Sequence, residues 1–160
     1  MPRQNYTILR PVLVYGPAAT GNLAKLMRLA AWPIPLPLKS LPGKRSLLDR
    51  RALCAAILHS LQEPKTDGET FIVSDNSPLT IGEMVAALRC GMGHSPQLFS
   101  VPEALLDLAA KLTAQTDRKQ RLYQYLVASS TKLQSTGWVA VEDPMREYRR
   151  CQQRYLHLSV

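Results

Sequence analysis

The segment from Tyr6 to Tyr15 limits the choice of fold more than any other part of the chain. Tyr6-Thr7-Ile8-Leu9 and Val12-Leu13-Val14-Tyr15 form a nearly unbroken apolar run rich in aromatic and β-branched residues. A strand exposed on one face would alternate; a continuous run is what a strand buried on both faces of a parallel sheet shows. Pro11 has no amide hydrogen to give a ladder, so it should stand at the carboxy end of the first strand or in a bulge. Gly16-Pro17 closes the segment.

Helical periodicity follows. Leu23, Leu26, Met27 and Ala30 share one face, with Lys25 and Arg28 opposite. Trp32-Pro33-Ile34-Pro35-Leu36-Pro37-Leu38 then forbids helix and reads as extended, either a rigid connector or a loop over a ligand. Leu53, Ile57, Leu58 and Leu61 mark a second amphipathic helix stopped by Pro64, and Phe71-Ile72-Val73 a short strand. Thr80-Ile81-Gly82-Glu83 is a capping box, in which hydroxyl and carboxylate each satisfy an amide of the first turn. The helix it opens carries Ile81, Val85 and Leu88 and should stop at Gly91 and Gly93. Leu98–Val101 reads as a further strand, and Pro102 suits a helix start with Leu105, Leu108, Ala109 and Leu112 on one face. Two more helical stretches are expected near Asp117–Leu126 and Pro144–Leu156. Strands alternating with helices make an α/β pattern without internal repeats.

The 160 residues suffice for one domain, and 46% hydrophobic against 20% charged residues excludes a disordered chain. No apolar run reaches the ~18 residues a membrane span needs. No secretory pattern opens the sequence, so the expected compartment is the cytoplasm. Cys54, Cys90 and Cys151, like His59, His94 and His157, are scattered, with no spacing that suggests a metal site or a disulfide framework. A net charge of +8 either serves solubility or attracts polyanions. Arg146, Arg149, Arg150 and Arg154 would form a basic helical face. They lack the motif and interleaved aromatics of a nucleic-acid reader, so nucleic acid is not the expected partner.

Tyr6-Thr7-Ile8-Leu9-Arg10-Pro11-Val12-Leu13-Val14-Tyr15-Gly16-Pro17 resembles a segment of the extended short-chain dehydrogenase/reductases, the NAD-dependent epimerase/dehydratase family that includes UDP-glucose 4-epimerase-like enzymes. Further pieces follow at matching spacing. They are Gly21-Asn22, Ile34–Pro37 before Arg45-Ser46-Leu47-Leu48, Gly68–Asp75, Thr80–Met84, and Ser129–Leu133 with Gly137-Trp138. The resemblance runs from about Tyr6 to about Arg150. It covers only the family's carboxy-terminal, substrate-binding portion, with few parallel strands and several helices. On this reading residues 1–160 form a single substrate-binding domain. Residues 1–17 are then the last strand region of the absent Rossmann half, and 18–160 the substrate-binding part.

The family's dinucleotide turn, GxxGxxG, has no counterpart here, because Gly16 and Gly21 are set differently and follow another strand. Its catalytic YxxxK is missing too. Tyr123 and Tyr125 have no lysine four residues on, and Tyr6 is followed by Arg10. Without that acid/base pair no group removes a proton from a sugar hydroxyl, so no catalytic residue is assigned. NAD is implied for the intact enzyme but not for this chain alone.

The resemblance assigns Arg45 to the diphosphate of a nucleotide sugar, most simply a UDP-sugar. A guanidinium's planar donor fork suits phosphate, although a solvated charge beside Lys39, Lys44, Arg50 and Arg51 would look the same. Asn22 falls near the substrate or acts as a helix cap, and Pro11 falls next to the nicotinamide or ends a strand. Asp49-Arg50-Arg51-Ala52 departs from the family pattern of an aromatic residue or histidine, then valine and acidic residues, and two arginines at a helix start oppose its dipole. The alternatives to a substrate-binding portion are an interaction module, self-associating or pairing with a Rossmann half through an open sheet, and a basic nucleic-acid binder.

Overall fold

The computed structural model describes residues 6–16, 21–102, 104–105 and 123–140. Its elements are β1 (Ile8–Pro11), β2 (Leu13–Tyr15), α1 (Gly21–Ala31), β3 (Lys44–Arg45), β4 (Leu47–Asp49), α2 (Arg50–Gln62), β5 (Thr70–Val73), β6 (Leu79–Thr80), α3 (Ile81–Gly91) and α4 (Thr131–Gln134). A 3-10 turn, Pro64–Thr66, follows α2. Pro11 is the last residue of β1, as its missing amide requires. The two parts of the first apolar run join different partners. β1 runs parallel to β5 with Pro11 opposite Val73, and β2 runs parallel to β4 with Tyr15 opposite Asp49. β3 and β6 pair antiparallel.

Successive side chains of β2 and β4 point to opposite faces and enter two separate cores. Tyr15 and Leu47 pack with Leu23, Met27 and Ala30 of α1 and Met84, Val85 and Leu88 of α3. Val14 and Leu48 pack with Ala52 and Ala56 of α2, Phe71 and Val73 of β5, and Leu133 and Trp138. Burial on both faces therefore holds only at Val14 and Tyr15, whereas Ile8 and Leu13, the first residues of β1 and β2, are exposed.

The predicted helices over Leu23–Ala30 and Leu53–Leu61 exist, and the capping box at Thr80 is formed in both directions. α3 stops as expected. The Met92 amide returns to carbonyls of its last turn, and Gly93 takes the left-handed φ of 78°.

Three expectations need correction. The inward face of α2 is Ala52 and Ala56, whereas Ile57, Leu58 and Leu61 are exposed. Small residues bring the helix close to the sheet and turn the larger ones outward. Leu98–Val101 is not a strand, since only Leu98 bridges, in parallel, to Leu36. Pro35 and Pro37 flank Leu36 and have no amide to extend that ladder. Leu126, expected at a helix end, is extended and bridges to Arg45. Residues 117–122 of that helical stretch, and the one near Pro144–Leu156 with its arginine face, lie outside the described residues.

Candidate functional site

β2, β4 and β5 point their carboxy ends the same way, and three polar side chains gather where they finish. In parallel α/β sheets ligands bind outside such ends. The Asp75 carboxylate, just past β5, accepts from the Asp49 amide at 3.0 Å and from the Tyr15 hydroxyl. Its own amide donates to the Leu47 carbonyl at 2.8 Å. Asp49 in turn caps α2, its carboxylate accepting from the Arg51 amide at 2.6 Å. That acidic cap offsets the two arginines that begin the helix. Asp75 is buried, and its Oδ1 has no hydrogen-bond partner among the described residues. Burial, with a smaller contribution from the Asp49 charge, outweighs the bonds from Asp49 and Tyr15 and raises its pKa to about 7.

Arg45 lies in β3, opposite Leu79 of β6. On the other side Ser46 donates its amide to Leu126 at 2.9 Å, and Leu126 donates back to Lys44 at 2.8 Å. The guanidinium thus rises from backbone held on both sides, half-buried, beside an exposed Lys44. Asn22 is exposed in the first turn of α1, the second residue of the helix rather than the residue before it. Pro11 is exposed on β1. β6 leads directly into α3, which packs on α1, so Arg45 and Asn22 belong to elements joined through α3. Pro11 instead ends the strand paired with β5.

Two features escaped the sequence reading. The Tyr15–Asp49–Asp75 cluster left one faint signal, an acidic residue directly after an apolar strand. The other is Arg89, read only as part of a helix, which is buried in the core. Lys132 and Trp138 serve structure. Lys132 pairs with Glu69 at 2.6 Å and lies 5.1 Å from the centre of the Phe71 ring, and Trp138 is buried. Cys54 and Cys90 are free thiols. Among the described residues no group of side chains could hold a metal ion, and no helix is long and apolar enough to cross a membrane.

No family model matches the chain. It is 32% identical over 154 residues to UDP-glucose 4-epimerase of Vibrio cholerae, an alignment covering 95% of this chain and 47% of that protein. The chain therefore spans about half the length of the curated relative it matches. Its fold resembles UDP-glucose 4-epimerase of Thermotoga maritima, solved with UDP-glucose, at a TM-score of 0.63 and 16% identity, covering 96% of this chain and 46% of that one. It also resembles UDP-glucuronic acid 4-epimerase of Bacillus cereus, solved with UDP-glucuronic acid and NAD, at a TM-score of 0.64 and 14% identity, covering 96% and 46%. The chain is homologous to the carboxy-terminal portion of epimerases of the extended short-chain dehydrogenase/reductase family.

A Cβ added to Gly16, the residue after β2, would stand 3.1 Å from the Cβ of Arg50, so the start of α2 packs closely on the backbone there.

Proposed function

We propose that this chain is the nucleotide-sugar-binding portion of an NAD-dependent epimerase or dehydratase. Arg45 grips the diphosphate of a UDP-sugar, and Asn22 contributes near the sugar. The chain has no catalysis of its own. Pro11 would face the nicotinamide of a cofactor held by a Rossmann half. Residues 1–17 would complete that half, and 18–160 would form the substrate part.

The observation that carries this reading is the identity to a UDP-glucose 4-epimerase along nearly the whole chain. The setting of Arg45 adds support. A side chain rooted in paired backbone loses less freedom on meeting phosphate than one on a loose loop, and its fork matches two phosphate oxygens.

Calorimetric titration with UDP-glucose tests it. Saturable binding that weakens with salt is expected, and Arg45→Ala should lower affinity by about tenfold or more. No saturable binding, or undiminished binding by Arg45→Ala, overturns the assignment.

A second reading, an interaction module, is favoured by exposed apolar side chains at and just before β1 and on α2: Tyr6, Ile8, Leu58 and Leu61. With β1 paired only to β5 among the described residues, these groups border an unpaired strand edge suited to self-association or a Rossmann partner. Light scattering tests the self-association, and a monomer at micromolar concentration counts against it.

A further inference from the structure

The guanidinium of Arg89, near the end of α3, is surrounded by main chain. Nε donates to the Ala30 carbonyl at 3.1 Å. One terminal nitrogen donates to Pro96 at 2.7 Å and Gln97 at 3.3 Å, the other to Trp32 at 2.9 Å and Ile34 at 2.8 Å. Every N–H of the fork is used, and each acceptor is a backbone carbonyl. The cation needs no carboxylate to be accommodated here. Ala30 lies in the last turn of α1, so that helix end turns its negative pole toward the guanidinium.

The same helix holds the proline-rich strap at its other end. A Cβ on Gly82 would stand 2.6 Å from the Leu38 carbonyl, so the strap presses on the backbone of the first turn of α3. Gly82 and Arg89 are about two turns apart. The segment Trp32–Leu38 thus lies along α3, clamped by Arg89 where it leaves α1 and seated on Gly82 where it turns toward Lys44-Arg45. Between these points Leu36 donates its amide to the Gln97 carbonyl at 3.0 Å and accepts from the Phe99 amide at 3.1 Å, and the Lys39 amide donates to the Phe99 carbonyl at 3.2 Å, holding the middle of the strap in place.

We propose that Arg89 is a positioning residue for nucleotide-sugar binding. It fixes the strap between α1, which presents Asn22, and β3, which presents Arg45, and so sets the separation of the two side chains assigned to the ligand. This rests on the proposed function, and it adds a residue that touches no ligand. Lysine keeps the charge but has neither the planar fork nor the reach to five carbonyls. Alanine leaves a pocket lined by carbonyl oxygens and matched to a free guanidinium ion.

The test compares the unaltered chain, Arg89→Lys and Arg89→Ala, by UDP-glucose titration well below each melting temperature and by amide hydrogen exchange. Both variants should bind about tenfold more weakly while folded. The amides of Leu36, Lys39 and Phe99 should exchange faster. Millimolar guanidinium, but not sodium chloride at equal ionic strength, should restore affinity to Arg89→Ala. A role in stability alone would lower the melting temperature yet leave the affinity of the folded protein unchanged.

Should Arg89→Ala fail to fold, Arg89→Lys decides by the same two readouts. Unaltered affinity and exchange in folded variants overturn the clamp. Absence of binding by the unaltered chain overturns the nucleotide-sugar reading instead, and exchange in Arg89→Lys still shows whether the clamp holds the strap.

Discussion

At the scale of single residues, two charged groups lie where charge is expensive, and they are accommodated in different ways. Asp75 has a pKa raised to about 7 because its burial disfavours the ionised form. The folded protein therefore holds this proton more tightly than the unfolded chain, whose carboxyl titrates near 3.8. The stabilisation is full below that lower value and is lost as pH rises through about 7. Chemical denaturation should find the chain less stable at pH 8 than at pH 5, by on the order of 1–3 kcal/mol from this group. Asp75→Asn keeps an acceptor for the Asp49 amide and should flatten the difference. An unchanged pH slope in that variant would show the dependence to lie elsewhere. Arg89 was partly legible in advance: it lies four residues after Val85 and eight after Ile81, on the apolar stripe of its own helix. A basic residue at such a position must find acceptors, but those it found are contributed by segments near Trp32 and Pro96, and no local pattern reveals them.

Elements were legible where their rules are local. Thr80 and Glu83 announce the start of α3 through bonds within one turn, Pro64 ends α2, and Pro11 ends β1. Replacing Thr80 by alanine should cost about 1 kcal/mol in a denaturant melt, the usual worth of a lost cap. What stayed hidden was which face of a helix turns inward. α2 has apolar residues around much of its circumference, and the choice of Ala52 and Ala56 depends on the strands it meets. Gly82 is the same kind of case. Nothing in Thr80-Ile81-Gly82-Glu83 shows that the strap passes over its second helical residue. Gly82→Ala should nonetheless destabilise by about 1–3 kcal/mol, because the obstacle is a backbone carbonyl that cannot rotate away. A gain in melting temperature, as helix propensity alone would give, would show that the strap can lift.

At the scale of the whole molecule, α4 is tied to the sheet from far along the chain. Leu133 is fully buried against Phe71 and Trp138, while Leu61 is 78% exposed. Leu133→Ala should lower stability by about 2–5 kcal/mol and Leu61→Ala by less than about 0.5 kcal/mol, as measured by urea unfolding. Equal effects would mean that the exposed apolar side of α2 is covered in solution. The paired placement of Leu47 and Leu48, one in each core, has a mechanical consequence. A slip of β4 by one residue would drive both leucines out of their sockets at once. Arg45, two positions before Leu47, is therefore anchored by packing on both sides of the sheet and cannot drift toward an approaching anion. The anion must come to it, and the strap clamped by Arg89 decides how far from that fixed point Asn22 waits.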